Sequence, residues 1–413
     1  MTGVVVVGGS IGGVRTIQQL RRMGYAGTIT LVESQTHLPY DRPPLSKAVL
    51  EGDEQGLPKL LTVDQAADLR VDLVLGVPAT SLDTNLRRLH LADGSSLDYE
   101  DALVVATGAR ARRSPWSGTT GVHELRGWDD AVALRSALSG ANRIVVVGAG
   151  FIGAEVASAA RKRGLHVDIV DVAPVPMARH FGADVGSLFV DLHVTNATVP
   201  HFGTGVAELS GSGSGVNVAL GDGTCLEADL AVVGLGTELN TEWLDGSGIK
   251  VDDGVVCDRA SRADVGAAVY AVGDVARWWH PVRDGLVRSE HWTNAVEQAT
   301  VVAHNITQPG DLRDHSPIGY VWSNQYDWKI QIAGDPARGI RHVLVREGPD
   351  RFLGLWADDH DRLCGVLTVN WQQLSVRGRQ ALAAGLDLAA THGLMFPGRA
   401  TDSEPATMTG AVR

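Results

Sequence analysis

The chain has 413 residues, a formal net charge of −12, 44% hydrophobic and 20% charged residues, a balance that fits two to four globular domains with ample core. The acidic balance argues against non-specific nucleic-acid binding, which needs a basic face. The three cysteines, Cys225, Cys257 and Cys364, form no CxxC pair, which excludes a zinc knuckle and argues against a dithiol centre.

The chain enters a strand at once, with no basic leader, and no apolar run approaches the roughly 20 residues of a membrane helix. With so few cysteines, the expected location is a reducing cytoplasm. Strand "GVVVV", a glycine turn, helix "RTIQQLRRMG" and strand "TITLVE", ending at Glu33, read as a βαβ unit. "LPYDRPPLSK" follows, too proline-rich for regular structure. "ALVVATG" reads as a strand ending in a Thr107-Gly108 turn.

A helix over "GVHELRGWDDAVALRSAL" introduces a second βαβ unit, from Ile144 to Asp171. Beyond it, Gly-Asp-Gly marks a hairpin within "VNVALGDGTCLEADLAVVGLG". "AAVYAVGDVARW" reads as a strand running into a helix N-terminus, and "HWTNAVEQATVVAHNI" as an amphipathic helix. From about Pro317 the texture changes to short alternating strands, an antiparallel sheet.

The two glycine loops carry the chemistry. A helix N-terminus offers free N–H groups and a partial positive charge to a pyrophosphate, and glycines let the backbone come close. The second loop is complete, Gly148-x-Gly150-x-x-Gly153, with Asp171 closing the next strand where a carboxylate can hold a ribose hydroxyl. The first loop keeps Gly8 and Gly13 but has Ser10 at the middle position, with Glu33 as its ribose carboxylate. A tight βα turn without ligand is the plain alternative for either loop. Duplication and the two strand-end carboxylates favour two dinucleotides, and those carboxylates oppose a 2′-phosphate, so NADH is expected over NADPH. Arg179, downstream of Asp171, softens that preference. A resident flavin and a visiting nicotinamide give two dinucleotides a chemical logic.

In order, "PYDRPPLSK", "ATGAR", "VVVGAGFIGAEVA", "YAVGDVARW", "EHWTNAVEQA" and "WSNQYDWKIQIAG" resemble the FAD-dependent ferredoxin reductases that serve bacterial oxygenases. The resemblance covers roughly residues 3–370. It implies an α/β fold of two Rossmann-like domains, for FAD and NAD, plus a C-terminal α+β domain with an antiparallel sheet. The implied boundaries are 1–113 and 237–316 for FAD, 114–236 for NAD, 317–400 for the C-terminal domain, and a mobile tail at 401–413. FAD contacts carry over onto Gly8, Ser10, Gly13, Glu33, Arg42, Lys47, Thr107, Gly108, Arg126, Asp274, Glu290 and Trp292. Nicotinamide-side contacts carry over onto Gly148, Gly150, Ile152, Gly153, Glu155, Asp171, Arg179 and Gly236. Lys47 resembles a lysine beside the flavin that pairs with Glu155, and Trp322 an aromatic discussed as an electron exit. A surface lysine, a helix N-cap at Asp274 and a core tryptophan are the plain alternatives.

The activity implied is hydride transfer from NADH to FAD, then single electrons to a [2Fe–2S] ferredoxin serving a cytochrome P450 or oxygenase, by a monomer or weak dimer. A flavoenzyme acting directly on a small molecule and a redox-gated non-catalytic flavoprotein are the other readings. Thiol chemistry is disfavoured because residues 1–224 hold no cysteine. The sequence departs from the resemblance at Asn324, at "NWQQLSVRG" and at Trp278-Trp279, which bears on the partner more than on the fold. An acidic ferredoxin would need a basic patch, for which Arg283, Arg288, Arg338 and Arg341 are candidates.

Overall fold

The computed structural model describes residues 3–213, 215–397 and 408–411, and the chain divides into two compact units. The first comprises residues 1–42, 56–110 and 237–317; the second comprises 43–55, 111–236 and 318–413.

The first unit is organised by the all-valine run of Gly3–Val7, buried throughout. Such a continuous apolar run suits a parallel strand covered on both faces. Thr28–Glu33 and Ala102–Val105 pair with it in parallel, Val71–Leu75 extends the sheet beyond the first of these, and Val269–Ala271 and Arg262–Asp264 extend it beyond the second. Helices Ile11–Arg22 and Trp292–Thr307 cover one face, burying Val14, Ile17 and Leu20 against Val302 and Ala303. The other face is closed by Leu82, Leu89, Tyr99 and Trp278.

Two expectations are corrected in this unit and the next. After Gly273–Val275, a single 3₁₀ turn, the chain continues as strand Ala276–His280 rather than as a helix. "ARWWH" alternates buried and open positions and pairs with both Val255–Cys257 and Gly285–Arg288, so sheet pairing takes it. The helix beside the turn is Trp292–Thr307, whose Ala295 lies against Gly273. The proline segment, in turn, is irregular only in its first half: Pro43–Ser46 is a 3₁₀ turn, and a short helix, Ala48–Glu51, follows the segment. Proline is tolerated in a first helical turn because its missing N–H would have no partner there.

In the second unit, Arg143–Val147 is central to a five-stranded parallel sheet ordered Thr198–Phe202, His166–Asp171, Arg143–Val147, Leu230–Val233 and Val122–His123. Helix Phe151–Lys162 covers it. The expected Gly-Asp-Gly hairpin joins Gly215–Leu220 to Cys225–Ala228. The C-terminal sheet is antiparallel, in the order Tyr320–Gln325, Trp328–Gly334, Leu363–Val369, Phe352–Ala357, Arg341–Arg346 and Met408–Ala411. Phe181 and Phe189, on helices Ala178–Phe181 and Ala183–Thr195, stack at 5.8 Å and meet Trp356 and Trp328 of this sheet, so these helices and the C-terminal sheet share one core. Of the tail at 401–413, residues 408–411 form the edge strand; 401–407, 412 and 413 lie outside the described residues.

Candidate functional site

The two loops are near copies in three dimensions. Gly8 and Gly148 have φ +113° and +102°, and a Cβ on either would sit 2.2–2.3 Å from a carbonyl oxygen of the adjoining strand end, Ala106 or Gly234. Only glycine fits there. A Cβ on Gly13 would lie 2.0 Å from Gly8 O, and one on Gly153 1.9 Å from Gly148 O. These glycines let each helix start against its own loop. Each loop is also tied to its strand-end carboxylate. Gly9 N–H donates to Glu33 Oε2 at 2.6 Å, and Ala149 N–H donates to Asp171 Oδ2 at 2.7 Å. The other oxygens accept from Gln35 N–H and Ala173 N–H, at 2.9 and 2.8 Å. Both carboxylates are fixed with lone pairs to spare.

The middle positions differ as the sequence does. Gly150 is the N-cap of Phe151–Lys162, and a Cβ there would meet no protein atom within 4 Å. That open space above a helix N-terminus is a cradle a side chain would fill. Ser10 caps Ile11–Arg22 in extended geometry without a side-chain capping bond, so its hydroxyl is not used by the helix. Both donor sets therefore suit a dinucleotide.

The remaining expected FAD residues of the first unit lie at its strand ends, turns and helix starts. Thr107 hydroxyl donates to Asn240 O at 2.8 Å, Asn240 Nδ2 donates to Thr107 O at 2.9 Å, and Gly108 takes φ +58°. Asn240 thus fixes the Thr107-Gly108 turn, a role the sequence did not disclose. Gly273 N–H, beside Asp274, donates to buried Gln298 Oε1 at 2.9 Å. Trp292 Nε1 donates to Asp41 Oδ1 at 2.9 Å; burial pushes the Asp41 carboxyl up and this hydrogen bond draws it down. Arg42 lies over the Tyr40 ring at 5.5 Å. Glu290 pairs with Arg288, which also meets Asp253 at 3.2 Å.

In the second unit, Glu155 is buried at 3% exposure on the helix that opens at the second loop. Lys47 Nζ lies 2.8 Å from its Oε2, so the sequence-predicted pair is formed. Ser46 Oγ donates to the same oxygen at 2.5 Å, and Ser323 Oγ donates to Oε1 at 2.6 Å. Neither serine was anticipated, although Ser323 lies within the quoted "WSNQYD". Trp322, next along the strand, stacks on Tyr320 at 6.3 Å. Ile152 and Arg179 are exposed, and Gly236, at φ +91°, accepts from Arg112 N–H at 3.0 Å. Arg126 belongs to this unit, not to the one bearing the first loop, and its N–H donates to Asp130 at 3.0 Å.

Cys257 and Cys364 are buried, and burial raises both thiols, Cys364 to about 11. A reactive thiolate needs the opposite environment. Among the described residues, no group of three or more His, Cys, Asp or Glu side chains could hold a metal ion, and no helix is long and apolar enough to cross a membrane. Of the four arginines considered for docking, Arg288 is paired as above and Arg341 meets Asp361 at 2.6 Å.

The pyridine nucleotide-disulphide oxidoreductase family model matches residues 2–299. The chain belongs to this family. A reductase C-terminal model matches residues 320–393, the antiparallel sheet and its helices. Rhodocoxin reductase of Rhodococcus erythropolis is 35% identical over 93% of this chain and 90% of its own length. The ferredoxin–NAD(+) reductase subunit of the benzene 1,2-dioxygenase system of Pseudomonas putida is 36% identical over 83% of this chain and 82% of its own. Among solved structures, the covalent putidaredoxin reductase–putidaredoxin complex superposes with a TM-score of 0.88 at 33% identity, covering 94% of each chain. Membership thus rests on the duplicated nucleotide fold, while the disulphide chemistry of the family name has no cysteine pair here to perform it.

Proposed function

We propose that this chain is an NADH-dependent ferredoxin reductase with a resident FAD, supplying single electrons to a [2Fe–2S] ferredoxin of a cytochrome P450 or oxygenase system. The observation that carries this is the pair of matched loops, each with a helix N-terminus and a strand-end carboxylate, joined to a reductase C-terminal sheet. In balance, one NADH and two oxidised ferredoxins give NAD⁺, two reduced ferredoxins and one proton. The bound FAD supplies the conversion between a two-electron hydride and single electrons.

Every other contribution comes from the chain. In the first unit, Gly8, Ser10 and Gly13 cradle the FAD pyrophosphate, Glu33 holds the ribose, and Arg42, Thr107, Gly108, Asp274, Glu290 and Trp292 complete that site. In the second, Gly148, Gly150 and Gly153 receive the NADH pyrophosphate. Asp171 binds the adenine-side ribose and opposes a 2′-phosphate, with Ile152, Arg179 and Gly236 at the margin. Lys47 and Glu155 hold the reacting groups in register, Arg126 is a further FAD contact, and Trp322 is the exit for electrons.

Lys47→Ala and Glu155→Ala test the register role. Both variants are expected to retain FAD but to be reduced by NADH at least tenfold more slowly than the parent. Parental rates in both would remove the pair from the account. Ferredoxin-dependent reduction of cytochrome c separates the proposal from a flavoenzyme acting directly on a small molecule, for which added ferredoxin has no effect.

A further inference from the structure

We propose that Ser323, on the C-terminal sheet, is a positioning residue for hydride transfer, holding the Glu155 carboxylate so that Lys47 keeps one fixed orientation. The inference rests on the role given above to the Lys47–Glu155 pair and extends it to the C-terminal module.

A carboxyl group as buried as Glu155 needs several donors to satisfy its oxygens and hold it in one place. Two come from the segment at 43–55: Ser46 and Lys47 both reach Oε2. These alone would leave Oε1 unpartnered and the carboxylate able to turn about its last bond. Ser323 Oγ supplies the donor to Oε1 at 2.6 Å. It is fully buried, at 0% exposure, on strand Tyr320–Gln325. The direction of its proton is set in turn. Gln325 Nε2, two residues along on the same strand face, donates to Ser323 Oγ at 3.3 Å, so the serine hydroxyl is left to donate to Glu155. Gln325, Ser323, Glu155 and Lys47 thus form one chain of donors and acceptors, running from the C-terminal strand to the lysine ammonium. Ser323 is flanked by Trp322, whose side chain takes the opposite face of the strand, so one short strand carries both the brace for Lys47 and the aromatic proposed as the electron exit.

The test compares Ser323→Ala, Ser323→Thr, Glu155→Gln and Lys47→Met as FAD-loaded proteins. Two readouts are taken: the anaerobic single-turnover rate of flavin bleaching by NADH, and the visible absorption band of the oxidised flavin, which responds to a displaced nearby charge without any turnover. Losing one hydrogen bond to a charged group slows bleaching by about tenfold. In Ser323→Ala we expect that loss, with NAD⁺ affinity within twofold of the parent and a band shift of the same sign as in Lys47→Met. Ser323→Thr, which keeps the hydroxyl, is expected to restore both. Parental bleaching and an unshifted band in Ser323→Ala, with Glu155→Gln and Lys47→Met impaired, overturn the role of Ser323 and leave the pair intact. An equal loss in Ser323→Thr and Ser323→Ala also overturns it, since the hydroxyl is then not what matters. Parental behaviour in Glu155→Gln and Lys47→Met overturns the pair itself, and this inference with it.

Discussion

Gly150→Ala and Gly153→Ala place one methyl group each in the same loop, yet the structure assigns them opposite consequences. On Gly153 the new Cβ lies 1.9 Å from Gly148 O, 3.1 Å from Gly148 C and 3.3 Å from Val146 Cγ1. Carbon and carbonyl oxygen settle at about 3.3 Å, so the first turn of Phe151–Lys162 has to withdraw by more than about 1 Å. Overpacking of this kind costs about 1–3 kcal/mol. On Gly150 the Cβ meets nothing within 4 Å, and φ −72°, ψ −175° is open to alanine. Replacing glycine at a compatible position stabilises by about 0.4–1 kcal/mol through the unfolded chain. Its methyl, however, enters the open space above the helix N-terminus proposed to receive the NADH pyrophosphate, so NADH affinity is expected to fall by about tenfold, or about 1.4 kcal/mol. The first loop already carries a Cβ at the matching position, Ser10, so the test is particular to the second loop. The assays are urea unfolding and equilibrium titration with NAD⁺ or NADH. Parental NADH affinity in Gly150→Ala, or equal unfolding midpoints in the two variants, refutes the reasoning.

Asn240→Ala removes the Nδ2 bond to Thr107 O while the carbonyl that accepts from the Thr107 hydroxyl remains, and it is expected to raise the fraction of free FAD on dilution several-fold, read by flavin fluorescence; unchanged retention would show that the Thr107-Gly108 turn holds without the amide. Stability is also expected to fall as pH drops below about 6.5. His193 lies buried against Tyr326 and Phe202, and His315 against Trp278; burial lowers them to about 4 and about 3 from 6.5. In the unfolded chain both take up a proton as pH drops below 6.5, whereas in the folded chain they stay neutral, so protonation favours unfolding progressively from about pH 6.5 down to about pH 4 for His193 and about pH 3 for His315. Urea midpoints at pH 7 and pH 5 check this, and equal midpoints would contradict the assignment of these histidines as buried and neutral.

Much of this architecture was legible because valine runs and glycine spacing leave few options. Gly3–Val7 and Arg143–Val147 could only be strands covered on both faces, and the glycines after them could only open helices. What stayed hidden was non-local. "VGDVARW" ends as a strand because Val255–Cys257 on one side and Gly285–Arg288, across a hairpin, on the other offer it hydrogen bonds, and the helix beside it begins only at Trp292. The proline segment looked structureless, yet its Ser46 and Lys47 converge on one oxygen of Glu155, 109 and 108 residues away. Asn240, Ser323 and Gln298 carry no local signature, since each acts by completing hydrogen bonds of groups brought in from elsewhere in its own unit.

The central claim is that one chain holds a flavin and receives hydride from NADH beside it. Anaerobic titration of the purified protein with NADH, followed in the flavin's visible bands, tests this most directly. The account predicts a yellow protein bleached by one equivalent of NADH per flavin, and much more slowly by NADPH. A preparation that stays colourless after incubation with FAD, or a yellow one whose spectrum NADH leaves unchanged, would contradict it.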